Sequence, residues 1–243
     1  MDPIGRFHRT FSIMFSIAFG TVDQALAAAR RLHQRHAQIA GRLTEGAGPF
    51  PSGSRYFANE LSSLRWVSAT LTETAVIAHD LLLPPLSAAE RERYYAESKI
   101  SASLFGIPRT VLPPDWAAFI AYKEGMLASD ILTVTPAARA IAHQILAGGA
   151  SRWVHVPAWY RKLTARLLPA HLRAAFDLRD DSAEHASAER TLKWIRRVYQ
   201  SLPNRLRYVG PYYEALGRLS GRSGPDLTTQ VLNRFWIGRS RLI

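Results

Sequence analysis

Ser68 sits in the middle of an otherwise apolar pattern. Leu61, Leu64, Ser68, Leu71 and Ala75 recur at three- and four-residue spacing, which places them on one face of a helix. A hydroxyl on such a face is either a pocket residue or a serine in a packed core. Glu73 and His79 follow it, but no Gly-x-Ser-x-Gly elbow accompanies them, so the set is not read as a hydrolase triad. A second cluster lies upstream, at Arg31-x-x-x-Arg35-His36. Ala29, Leu32, His36 and Ile39 share a helix face, with His33 close by, so His36 is expected among apolar neighbours. A neutral imidazole in that setting is suited to an axial bond to haem iron, to general-base chemistry, or to a hydrogen bond with a backbone carbonyl in a core. Arginine forks such as Arg31 and Arg35 suit bidentate carboxylate binding. The run Glu90-Arg91-Glu92-Arg93 reads as a solvated helix start with intrahelical pairs, and Tyr94 and Tyr95 as core or groove residues.

The elements that must position these residues are helices. Asp2-Pro3 opens an apolar helix to about Phe19, ended by Gly20. Thr21 caps a second helix, read from Val22 to about Ala40. Thr44 to Ser54 is a Gly/Pro/Ser loop, and a third helix covers roughly Ala58 to Leu83, stopped by Pro84-Pro85. Ser87-x-x-Glu90 is a capping box for a fourth helix to about Phe105. Helices follow from Pro113-Pro114-Asp115 to about Leu127 and from Thr135-Pro136 to near Gly148-Gly149. Ala158–Leu167, His171–Phe176 and Ser182–Ser201 continue the pattern, and a basic, Gly-interrupted tail runs from Arg222. No segment shows sustained period-two alternation, so no sheet is expected.

The 243 residues include 31 Lys and Arg against 19 Asp and Glu, a net charge of +12. That balance favours anionic partners, although no nucleic-acid module accompanies it, so no specific nucleic-acid partner is expected. The absence of cysteine excludes disulfides, thiolate ligands and iron–sulfur clusters. None of the eight histidines (His8, His33, His36, His79, His143, His155, His171, His185) forms a His-Glu-x-x-His motif. Phe11–Phe19 is too short for a bilayer span, which takes ~20 apolar residues, and reads as a buried or interfacial helix. The expected location is cytoplasmic, with peripheral membrane contact.

Several segments together resemble one family. They are Asp2-Pro3-Ile4-Gly5-Arg6 with Arg9-Thr10, Ala18-Phe19-Gly20, Arg31 to Ala37 closed by Gly41, and Trp66-Val67-Ser68-Ala69-Thr70-Leu71. Leu86-Ser87 through Tyr95, Phe105-Gly106-Ile107-Pro108 and Val134 through Arg139 follow. The series ends with Leu167-Leu168-Pro169 and Leu202-Pro203-Asn204-Arg205-Leu206-Arg207. Their order resembles the mpaB-type oxygenase domain, the family of the rubber oxygenases called latex-clearing proteins. The resemblance implies an all-α fold, taken here as one domain over residues 1–243 with a variable tail at 211–243. It also implies b-type haem and oxidative cleavage of an apolar small-molecule substrate. Under it His36 is the iron ligand or distal polar group, and Arg31 and Arg35 pair with haem propionates or anchor the pocket. Ser68 stands where many relatives have a histidine, and a hydroxyl cannot replace imidazole on ferrous haem. Relatives usually carry a further helical segment before Asp-Pro-x-Gly-Arg, so under the resemblance the start at Asp2 means either that the chain begins late or that this segment is lost. The alternative expectation is a non-catalytic helical protein that binds a hydrophobic ligand, a membrane surface or a protein partner.

Overall fold

A computed structural model describes residues 3–147, 156–178 and 182–242. Asp2, Gly148, Gly149, His155 and the side chain of His185 lie outside the described residues. Twelve α-helices and one two-stranded sheet make up the described fold, in agreement with the all-α expectation. In chain order the first elements are α1 (Pro3–Phe19), α2 (Val22–Ala37), β1 (Ala40–Arg42), β2 (Arg55–Phe57), α3 (Leu61–Leu82), α4 (Ala88–Leu104) and α5 (Trp116–Ala128). Then come α6 (Pro136–Leu146), α7 (Ala158–Leu167), α8 (Ala170–Ala175), α9 (Ser182–Ser201), α10 (Asn204–Arg207), α11 (Gly210–Leu219) and α12 (Leu227–Ile237).

The helix starts follow from local chemistry. Thr21 with Gln24, and Ser87 with Glu90, form reciprocal capping boxes that satisfy otherwise orphaned amides. Asp115, Thr135 and Asp226 accept the amides of Ala118, Ala138 and Thr229 at the starts of α5, α6 and α12.

Two expectations are corrected. The sheet exists: β1 and β2 pair antiparallel, with Ala40 opposite Phe57 and Gly41 opposite Tyr56. Strands of three residues are too short to show a period of two, and their pairing ends α2 at Ala37 rather than Ala40. The face of α3 that packs is also rotated from the one expected. Leu71 is 51% exposed, and Leu61 and Ala75 are exposed, whereas Ala69, Thr72 and Val76 are buried. The periodicity identifies which residues share a face, but small Ala69 and Thr72, not the leucines, allow the close approach of neighbouring helices.

The core has two centres. Ala69, Tyr95 and Phe119 pack together with Trp66, Trp116 and Tyr122, which joins α3, α4 and α5. At the other centre, α1 presents Phe7, Phe11 and Phe15 at four-residue spacing to Trp236 of α12, with ring centroids 6.0, 5.0 and 6.1 Å away. The apolar Phe11–Phe19 stretch is thus an interhelical seam, and no helix of the described residues is long and apolar enough to cross a membrane. Residues beyond 210, read from sequence as a variable tail, form α11 and α12, which pack on each other and on α1.

Candidate functional site

The structure distributes the sequence-predicted site residues over three places. Ser68 lines a cavity between α3, α4 and α5, together with Arg65, Thr72, Tyr95, Lys99 and Tyr122. Ala69, Leu112 and Phe119 add apolar wall, and several of the polar side chains are fixed in place. Buried Tyr95 donates its phenol to the Pro113 carbonyl at 2.8 Å. Burial pushes the Tyr95 phenol up to about 12, an effect that the Arg65 charge partly opposes and that Asp115 and Glu92 reinforce. Lys99 donates to the Pro114 carbonyl and lies 4.6 Å from the Tyr95 ring centroid. The Arg65 guanidinium stacks 3.9 Å from the Tyr122 ring centroid, and its buried Nε has no hydrogen-bond partner. Burial also raises the Tyr122 phenol, again against the pull of Arg65. Glu73 does not approach Ser68 as part of a catalytic set: it pairs with Lys123 of α5 at 2.5 Å. His79 turns Nδ1 to Asp80 at 3.4 Å, and Asp80 also takes Arg91 at 2.7 Å. The cavity holds about 10 Å³, room for one water molecule.

Arg31 and Arg35 lie elsewhere. They line an open groove of about 460 Å³ with His8, Arg9, Ser12, Ile13, Ile237 and Arg239, formed by α1, α2 and the end of α12. His36 does not line that groove or the Ser68 cavity. It is half-buried on α2, and its expected apolar neighbours are unevenly covered: Ala29 is buried, but Ile39 is 46% exposed.

Comparison with known families decides the relationship. A family profile described as "ER-bound oxygenase mpaB/B'/Rubber oxygenase, catalytic domain" matches residues 1–197. The chain belongs to this oxygenase family. No curated protein and no solved structure matches it. Membership in the mpaB/rubber oxygenase family supports an oxygenase-like function and raises the question of its cofactor.

The residues singled out for haem do not line one common cavity. Ser68, His36 and the Arg31–Arg35 pair belong to separate places, and the Ser68 cavity is far below the ~300–1,000 Å³ of a small-molecule pocket. The groove is large enough, but its one histidine is engaged. His8 Nε2 lies 3.2 Å from the Phe235 carbonyl. Among the described residues, no group of three His, Asp or Glu side chains is arranged to hold a metal ion.

Sequence reasoning missed Arg65, Lys99 and Tyr122 around Ser68, and His8, Arg9 and Arg239 around Arg31. Arg65 had a visible signal, since it is three residues from Ser68 and four from Ala69 on one helix. The convergence of α1 with a C-terminal arginine more than two hundred positions away had none.

Proposed function

We propose that this mpaB-family protein works at an anionic membrane surface, towards an apolar substrate held there, and without a haem ligated by His36. The observation that carries this reading is the outer face of α12. Leu227, Val231 and Phe235 recur every four residues and are 80%, 64% and 65% exposed. Leu219, at the end of α11, is 86% exposed. An apolar stripe on a mostly paired helix hairpin calls for a covering phase, and the charge of this part of the sequence selects one. From residue 202 onward the chain carries seven arginines (Arg205, Arg207, Arg218, Arg222, Arg234, Arg239, Arg241) against only Glu214 and Asp226. Apolar insertion with flanking arginines is the pattern of an interfacial helix on acidic lipid.

The exposed surface supports the same reading. The chain shows 15557 Å² to solvent, whereas a compact monomer of its length shows roughly 10,800 Å². The matched family also includes oxygenases described as ER-bound.

Co-sedimentation with phosphatidylcholine vesicles, with and without phosphatidylserine, tests the reading. Binding should require phosphatidylserine, weaken as salt shortens the screening length, and be lost in Val231→Asp. Binding that is indifferent to both phosphatidylserine and Val231→Asp contradicts it. Family membership favours a second reading, a haem-dependent oxygenase for an apolar substrate. A Soret band on haemin addition that disappears in His36→Ala would establish that reading instead.

A further inference from the structure

The arginine groove carries an inference beyond surface docking, and of the arginines counted for that docking it uses only Arg239. Its lining brings four guanidiniums together, Arg9, Arg31, Arg35 and Arg239, with His8 beside them and no carboxylate among the lining residues. Arg239 is held in place, donating to Ser12 Oγ at 3.0 Å and to the Leu242 carbonyl at 2.9 Å. Arg31 and Arg35 are exposed, and their side chains have no hydrogen bond or ion pair among the described residues. They sit one turn apart on α2, so like charges face each other at about 5–6 Å between Cβ atoms, an arrangement that costs rather than adds helix stability. A multiply charged anion removes that cost.

From this geometry we infer that the groove is a binding site for a phosphorylated small molecule bearing two adjacent phosphoryl groups. Guanidinium forks match phosphate oxygens bidentately, and two forks one helical turn apart address two phosphoryl groups rather than one. Ile13 and Ile237 give the groove an apolar wall for the organic part of the ligand. At about 460 Å³ the groove has the size of ordinary small-molecule sites. The diphosphate chemistry is common to soluble organic phosphates and to lipid headgroups.

Isothermal titration of the full chain with inorganic pyrophosphate tests the site without any membrane. Pyrophosphate should bind, and the double variant Arg31→Gln/Arg35→Gln should weaken it by roughly tenfold to a hundredfold for each guanidinium removed. The control Arg196→Gln/Arg197→Gln removes the same charge from exposed positions on α9 and should leave affinity within about twofold. Circular dichroism melting without pyrophosphate should be no lower in Arg31→Gln/Arg35→Gln than in wild type, since these side chains hold nothing. A competition arm separates the sources. If pyrophosphate, at fixed ionic strength, competes with vesicles carrying phosphatidylinositol 4,5-bisphosphate, whose headgroup bears two adjacent phosphoryl groups, the groove takes lipid headgroups; if it does not compete, the groove takes a soluble phosphate. No pyrophosphate binding to wild type, or equal loss in the α9 control, overturns the inference.

Discussion

Replacing Ser68 by histidine places an imidazole in the wall of the α3–α4–α5 cavity and tests whether this position belongs to an open pocket. Ser68 is half-buried and faces a cavity of about 10 Å³ whose wall is pinned by the Tyr95–Pro113 hydrogen bond and the Arg65–Tyr122 stack. One water fits there and an imidazole does not. The ring must displace Tyr95, Lys99 or Tyr122, an overpacking cost of about 1–3 kcal/mol. In a chain of 243 residues that corresponds to a fall in Tm of about 2–12 °C. Ser68→Ala, which adds no bulk, should stay within about 0.5 kcal/mol. Urea unfolding of both variants, read as a shift in midpoint at constant slope, gives the comparison directly. Haemin added to Ser68→His should produce no Soret band. An unchanged midpoint would mean that Ser68 faces open solvent, and a Soret band would mean that the site opens to haem; either result refutes the reasoning.

Three further outcomes follow from the geometry. Tyr95 has a folded-state pKa of about 12, above its ordinary value of 10.0, so its contribution is complete below pH 10 and is lost as pH rises towards 12. Tyr95→Phe should be less stable at neutral pH, because the Pro113 hydrogen bond is gone, and should show a shallower alkaline decline in Tm. Gly210→Ala places a Cβ 2.3 Å from Asn233 Oδ1 and 2.8 Å from the Thr229 carbonyl, so it should destabilise by about 1–3 kcal/mol in urea unfolding. Asn233 is fully buried and donates to Glu214 at 2.7 Å and to the Ser240 carbonyl at 3.1 Å. Asn233→Leu should cost at least about 1–3 kcal/mol, because the buried Glu214 carboxylate loses a donor.

Much of the fold is legible in the chain. Caps such as Thr21–Gln24 and Ser87–Glu90 act over three residues, so the starts of α2 and α4 can be read from sequence. The family resemblance also rests on motifs whose order is linear. The site is less legible because it depends on rotation and on distance along the chain. The face around Ser68 is apolar by composition, yet Leu71 is exposed and Thr72 is buried, a difference decided by the helices that pack on α3. Arg31 and Arg35 are visible as a pair one turn apart, but Arg239 reaches them only because Trp236 docks α12 on the phenylalanines of α1. The short β1–β2 pairing likewise depends on bonds across the loop that joins the two strands rather than on any local periodicity.

The central claim, that the outer face of α12 meets an anionic membrane, can be tested with one fluorophore. The chain contains no cysteine, so Phe235→Cys supplies a single thiol for an environment-sensitive dye. A second sample carries the dye at Val22→Cys, which is 76% exposed on α2. With phosphatidylserine-containing vesicles the dye at 235 should brighten and shift to the blue, and the dye at 22 should not. Emission from position 235 that is unchanged, or that changes no more than emission from position 22, would contradict the account.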